Sequence, residues 1–372
     1  MKKKPMINLM FYIAYFMYIY SIFGVRVVFT KQLIEIFKIS IPIVLLIICL
    51  IQGEKYDIKA IIGILVIICL SVISNIYTKN STFLYLAGFI IASKDIQNES
   101  IIKYDIKIKI FSLIFVMICC WLGLADNVIS YRSDGTIRYS LGFNHPNTIG
   151  MCLFSICCGI MYLYYNKQKP IKYILALLAY IGCTYICDSR ASQIGIILLI
   201  LLSIILPKIK KNGVTKFIFQ YMHIILFVLS IVITILYSNG FEIAKTLDKT
   251  FNTRIYWMSR FYNYYGFNMF GHFFADYGIR GYNALGVLDN AYIHLVIHYG
   301  IIMTTVIFIA LTIFLKKAYL EENMNVFIYI IPVLIYGLME KNIFEPIVNV
   351  IMIFLNSLLY LKKEYMFQKK KI

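Results

Sequence analysis

Residues 208–238 read KIKKNGVTKFIFQYMHIILFVLSIVITILYS. Four lysines, Lys208, Lys210, Lys211 and Lys216, precede 22 residues, 217–238, that contain no Asp, Glu, Lys or Arg. An apolar run longer than about 18 residues is long enough for a helix that crosses a bilayer, and lysines at one end mark the cytoplasmic flank. The same pattern recurs in both directions along the chain. Spans are predicted at 6–23, 39–51, 60–76, 82–93, 110–125, 148–165, 173–187, 192–206, 217–238, 289–315, 325–340 and 344–361. Starting from Lys2, Lys3 and Lys4, every second gap is lysine-rich. These gaps and the tail hold 23 of the 36 Lys and Arg residues, and 13 are left for the alternate gaps. Both termini are therefore expected on the cytoplasmic side.

Composition agrees. Of 372 residues, 61% are apolar and 15% charged, against about 45–50% and about 25% in soluble domains. Twelve spans of about 20 residues use about 240 residues, nearly the whole apolar supply. A soluble enzyme, a secreted disulfide scaffold and a disordered chain are excluded. The expected fold is an all-α polytopic integral membrane protein, one domain over 1–372, with about twelve (10–13) transmembrane helices. The net charge of +18 would suggest nucleic acid in a soluble protein; here topology explains most of it, and no nucleic-acid partner is expected.

The arginines break the lysine pattern. All seven, Arg26, Arg132, Arg138, Arg190, Arg254, Arg260 and Arg280, fall on the predicted outer side. Topology needs only positive charge, whereas arginine adds a planar fork that binds phosphate bidentately and never deprotonates. Two readings stand: a lysine-biased coding sequence with arginines placed by chance, or a phosphate-bearing ligand at the outer face. The nine cysteines all lie within predicted spans and read as small apolar fillers. Cys183 and Cys187 share a helix side, and His294 and His298 are spaced for one face, but neither pair has a third metal ligand. No metal and no cofactor is expected.

Inner gaps are short and carry no Walker motif, glycine-rich phosphate loop or Asp-x-Asp pair. Two outer segments are longer, 126–147 and 239–288. In the first, Pro146 suits the first position of the next helix, which puts Asn144 and His145 at a helix N-terminus that favours anions. A capped turn with an incidental histidine is the alternative. Asp188-Ser189-Arg190 follows at a membrane boundary, either as a local pair capping a helix end or as a site for a lipid phosphate. In the second segment apolar residues recur at 251, 255, 258, 262 and 265. That spacing predicts an amphipathic helix lying on the membrane, with Arg254 turned toward the buried boundary and Arg260 toward solvent. The tenth span opens with Asp289, which could cap it; Asn290, His294 and His298 then make one face polar.

Four stretches together resemble the O-antigen polymerase and O-antigen ligase superfamily, the Wzy-type polysaccharide polymerases. They are Arg138 with Gly142-Phe143-Asn144-His145-Pro146-Asn147, Asp188-Ser189-Arg190-Ala191, Thr253-Arg254-Ile255-Tyr256-Trp257, and Asp289-Asn290-Ala291-Tyr292 leading to Gly300. Their order and outer placement carry the resemblance, which covers about residues 110 to 315. It implies a GT-C-like helical bundle in the bacterial cytoplasmic membrane that joins oligosaccharide repeat units carried on undecaprenyl pyrophosphate, without metal. It further implies the membrane lipid, a flippase and a chain-length regulator as partners. Arg138, Arg190 and Arg254, with Asn144, Asn147, Asn290, Arg260 and His294, would bind substrate and pyrophosphate. The related ligases carry His-Asn, nine residues, then Gly; here Asp289 stands in the histidine's place, which favours polymerase over ligase. Arg260 and Gly271 match an Arg-x10-Gly pattern of some polymerases.

The chemistry is consistent with that reading. Outside the cell there is no ATP, so a donor must arrive activated, as a sugar on lipid pyrophosphate does. Fixed cations stabilise the charge that develops as the bond breaks, and the acceptor hydroxyl needs a base, for which Asp289 ranks first and His145 second. A ligase, or a lipid-linked oligosaccharide flippase or transporter, remains the alternative.

Overall fold

The computed structural model describes residues 3–52, 56–132, 135–167, 169–210, 212–274 and 285–360. Arg280 and the lysine-rich tail lie outside them. The helices are α1 (Lys3–Phe23), α2 (Lys31–Gln52), α3 (Ile58–Thr78), α4 (Thr82–Ala92), α5 (Asn98–Trp121), α6 (Pro146–Tyr164), α7 (Ile171–Tyr185), α8 (Arg190–Ile205), α9 (Gly213–Ser238), α10 (Glu242–Thr250), α11 (Arg254–Tyr265), α12 (Ala291–His298), α13 (Gly300–Leu320), α14 (Met324–Tyr336) and α15 (Asn356–Leu359). Among the described residues seven, α1, α2, α3, α6, α8, α9 and α13, are long and apolar enough to cross a membrane. The sheet is a single hairpin, β1 (Ile129–Tyr131) and β2 (Ile137–Tyr139), with Ser130 opposite Arg138.

The outer faces of α2 and α3 show what solvent the bundle suits. Ile39, Ile43, Leu46 and Leu50 on α2, and Ile58, Ile62, Leu65 and Ile76 on α3, are all exposed. A continuous aliphatic surface is unfavourable in water but matches lipid hydrocarbon. The chain is a membrane-embedded protein whose regular structure, among the described residues, is helical but for the β1–β2 hairpin.

The centre is built differently. Val326 to Leu334 of α14 are buried all round, as are Ile347, Val348 and Val350–Leu355 beyond it. Two spans were expected here, 325–340 and 344–361. Instead α14 stops at Tyr336, and the return contains two 3₁₀ turns, Asn342–Phe344 and Val350–Leu355, before α15. Pro346 denies the backbone a helical donor, and three charged side chains interrupt the apolar run. Irregular backbone at this depth is tolerable only where protein satisfies it. Tyr329 does so, its hydroxyl donating to Val348 O (3.0 Å) and accepting from Val350 N (3.3 Å), and Asn349 Nδ2 donates to Ile343 O (3.0 Å).

The predicted span 289–315 is also broken. α12 ends at His298 and α13 starts at Gly300, whose φ is +88°. Gly271 (φ +83°) crosses at this break: a Cβ on Gly300 would lie 2.5 Å from Gly271 N, and one on Gly271 would lie 2.1 Å from His298 O. The two glycines of the spaced motifs therefore meet, and two backbones approach more closely than any side chain allows. Ile301 N and Ile302 N donate to Asn268 O and Met269 O across the same crossing.

Three lysines counted toward topology have internal roles. Lys109 is 0% exposed and pairs with Asp105 at 2.7 Å. Lys172 donates to the carbonyls of Tyr164, Tyr165 and Lys167 at the end of α6. Lys94 sits 3.8 Å from the centre of the Tyr56 ring.

Candidate active site

At the hairpin end of the bundle, the strand pattern of β2 is inverted. Ile137 and Tyr139 are exposed while Arg138 between them is 9% exposed. Alternation along a strand sends neighbours to opposite faces, so two apolar residues are left outside in order to bring one arginine in. Its Nε donates to Cys187 O (2.9 Å), and its terminal nitrogen pairs with Asn147 Oδ1.

Asn147 lies in the first turn of α6. His145 is that helix's N-cap, its Nδ1 accepting from Asn147 N at 3.1 Å, with Pro146 in the first turn as expected. The Asn147 side chain passes the contact on: Nδ2 donates to Glu340 Oε1 at 2.9 Å. Arg138, Asn147 and Glu340 thus form one relay.

Glu340 belongs to the turn 337–341 after α14, and successive residues of this turn are held by different elements. Gly337 O accepts from Ala291 N (2.8 Å). Leu338 O accepts from Asn290 Nδ2 (3.3 Å), Met339 O from Arg254 Nε (3.1 Å), and the Glu340 carboxylate from Asn147. Arg254 opens α11, whose start is capped by Asp248: its Oδ1 accepts from Ile255 N (2.8 Å) and Tyr256 N (3.1 Å). Asn290, not Asp289, caps α12, with Oδ1 accepting from Tyr292 N and Ile293 N. Its Nδ2 also donates to Ser230 Oγ of α9. Asn290 therefore acts on the site by placing the turn, and Asp289 is released from capping.

The electrostatics follow from this convergence. Glu340, Lys341, Asp289 and Arg254 are each partly buried, so they keep some access to solvent instead of being sealed in core. Burial pushes the Glu340 carboxyl up to about 8; the Asp289 charge adds to this, and Arg254, Lys341 and Arg138 oppose it. Burial also raises Asp289, against the pull of Arg254 and Lys341. Lys341 is lowered by burial and held charged by Glu345, Asp289 and Glu340. Three cations around carboxyls whose negative charge burial disfavours give a site suited to the concentrated negative charge of a ligand.

Backbone strain marks the same neighbourhood. Leu141 (φ +44°), Asp188 (φ +39°), Asn252 (φ +56°) and Thr253 (φ +64°) are left-handed without being glycine. Each lies within three positions of Arg138, Arg190 or Arg254. Such conformations cost about 1–3 kcal/mol each and cluster at functional sites.

The remaining candidates are placed elsewhere. Arg190 is the exposed first residue of α8, and the neighbouring Asp188 carboxylate pairs with Arg132. Asn144 is exposed and accepts from Arg26 Nε at 3.2 Å. Arg260 was expected to point to solvent. It is instead half-buried, its guanidinium 5.5 Å from the Trp257 ring and donating to Tyr256 OH. The predicted amphipathic α11 exists, but its buried apolar residues, Ile255, Met258 and Phe261, include two that pack in a protein cluster with Phe274, Leu288 and Ile293. His294 is buried on α12, its ring 5.0 Å from that of His298, whose Nδ1 meets His272 O at 2.8 Å.

Glu340 was absorbed into the end of the predicted span 325–340, and Lys341 into the gap that follows it. The stretch Leu338-Met339-Glu340-Lys341-Asn342-Ile343-Phe344-Glu345-Pro346 did carry a signal: three charges and a proline within an apolar run, where each charge is costly unless it has a partner or a purpose. Comparison with known protein families, curated proteins and solved structures finds no match for this chain.

Proposed function

We propose that this chain is a membrane glycosyltransferase. It polymerises undecaprenyl-pyrophosphate-linked oligosaccharide repeats into capsular, exopolysaccharide or O-antigen-type polysaccharide, with its hairpin end at the outer face of the bacterial cytoplasmic membrane. The observation that carries this reading is the convergence on one stitched turn of Arg138, Arg254 and Lys341 with Glu340 and Asp289. A glycosyl donor on lipid pyrophosphate needs two things: cations where the leaving group gathers charge, and a base for the acceptor hydroxyl. The cluster has both kinds of group. On this reading the cations stabilise the pyrophosphate as the anomeric C–O bond breaks, and Arg190, exposed at the start of α8, meets the lipid phosphate on entry. The Asp289 position, where the related ligases carry histidine, favours chain extension over ligation.

The test is incubation of the purified protein with one synthetic lipid-linked repeat in the presence of chelator. A ladder of lengthening products is expected. A single transfer to a separate acceptor would replace this reading with a ligase. Translocation of the repeat across vesicles without any new bond would replace it with a flippase.

A further inference from the structure

Within that function the site still lacks an assigned base, and the two residues favoured from the sequence are poorly placed for it. The His145 Nδ1 lone pair accepts Asn147 N–H to cap α6, and the residue is exposed at a helix corner. Asp289 lies between Arg254 and Lys341, which oppose the rise that burial gives its carboxyl, and no hydrogen bond among the described residues orients it as the Asn147 amide orients Glu340.

Glu340 has what they lack. Its Oε1 is fixed by the Asn147 amide, which Arg138 fixes in turn. A proton acceptor oriented by a second group, itself oriented by a third, is the arrangement general-base catalysis requires. The turn that carries Glu340 is held at Gly337, Leu338 and Met339 by Ala291, Asn290 and Arg254, so the carboxylate has little freedom to leave its position. The residue is half-buried and can therefore be reached.

We propose that Glu340 is the base that takes the proton from the acceptor hydroxyl, and that Asp289 serves as counter-charge holding Arg254 and Lys341 in place. This rests on the polymerase reading. The acceptor O–H bond breaks as its proton passes to Glu340. The freed oxygen pair forms the new bond to the anomeric carbon, and the anomeric carbon's bond to phosphate breaks with its electron pair leaving on the lipid pyrophosphate. The groups that face Glu340 are Arg138 from β2, Arg254 from α11, Lys341 beside it, Asp289 before α12 and Tyr336 at the end of α14. Arrival of pyrophosphate on Arg138 and Arg254 offsets their hold on Glu340, so the carboxylate becomes more basic when substrate is present.

The experiment compares wild type with Glu340→Gln, which preserves size and can still accept from Asn147, in steady-state polymerisation of the lipid-linked repeat and in direct binding of undecaprenyl pyrophosphate. The expected result is unchanged binding and KM with kcat lowered on the order of 10²–10⁴-fold. The wild-type kcat/KM should rise as pH passes through about 8, because the base works only when deprotonated and kcat/KM reports the free enzyme, and E340Q should lose that limb. Wild-type polymerisation with E340Q within about fivefold of it overturns the assignment of the base and leaves the polymerase standing. A wild type that binds the pyrophosphate yet forms no glycosidic bond overturns both. Should E340Q fail to bind, Glu340→Asp replaces it. That change keeps the charge and withdraws it by about 1 Å, a displacement that can cost about 100-fold; a folded E340D with a wild-type rate overturns the proposal.

Discussion

Two charge clusters grip the same return segment, and they differ in every respect that separates support from chemistry. At Pro346 the grip is sealed. Asp105 and Lys109 stand one turn apart on α5, both 0% exposed, and their side chains meet at 2.7 Å. Tyr15 OH donates to Asp105 Oδ1 (2.6 Å) and lies 3.2 Å from Pro346 O. Charges of opposite sign balance one to one. At Glu340 the grip is open. The residues come from β2, α6, α11, the segment before α12 and the turn itself, all but the buried Arg138 are partly exposed, and the carboxyl retains its proton up to about 8. A buried ion pair in a membrane protein therefore does not by itself indicate a site. Convergence of several elements on groups that keep access to solvent does.

The sharpest way to break the comparison is to unbalance the sealed cluster. Asp105→Ala leaves Lys109 charged and unpaired in the core, which should cost about 3–5 kcal/mol of stability. Thermal melting and the yield of monodisperse protein measure this. The double change Asp105→Leu with Lys109→Met removes both charges at similar volume and should recover most of the loss, with polymer formation restored alongside. A double variant that folds and makes no polymer would show that the sealed pair takes part in the chemistry, and the distinction drawn above would fall.

At the open cluster the larger effect should be on rate and the smaller on stability. Arg138→Lys keeps the charge but loses the fork that reaches both Cys187 O and Asn147 Oδ1. Arg and Lys are not equivalent at a two-pronged contact, so kcat should fall on the order of 10²–10³-fold, as when a donor to a developing anion is removed, with a melting temperature close to wild type. If Lys supports near-normal turnover, Arg138 provides bulk charge only, and the relay through Asn147 to Glu340 does not orient the base.

The contrast also explains what could be read from the sequence. Hydropathy and lysine spacing located the long apolar helices, because bilayer thickness constrains run length directly. The four polar stretches led to Arg138, Asn147, Arg254 and Asp289, which do converge. Their partner Glu340 was missed because it falls at the last residue of the predicted span 325–340, where a charge at a helix end reads as an ordinary membrane boundary. Lys109 was misread for a similar reason: beside Lys103 and Lys107 it looks like one more topology charge, although Asp105 four residues earlier is the spacing of a helical ion pair. The spacings Arg260 to Gly271 and Asp289 to Gly300 pointed to two glycines, but only the structure shows them meeting at the α12–α13 break. The hairpin, with strands of three residues each, is too short for periodicity to reveal.

The smallest expected effect decides between two roles for one histidine. His145 lies near the open cluster in sequence, yet its Nδ1 contact with Asn147 N is of the kind the sealed cluster makes, a satisfied structural bond. If capping is its role, His145→Ala should cost about 1 kcal/mol, whereas Asn, among the strongest N-cap residues, should restore stability. The rate separates the readings further. His145→Asn has no proton acceptor of comparable strength, so a base at this position would lose activity by the same order as E340Q. A cap would leave kcat within about twofold of wild type while the melting temperature is kept. Because the N–H that His145 caps belongs to Asn147, the alanine variant carries a second signature: loosening the first turn of α6 should shift the amide that orients Glu340, lowering kcat modestly in H145A and not in H145N. Equal rate losses in the two variants would return the proton to His145.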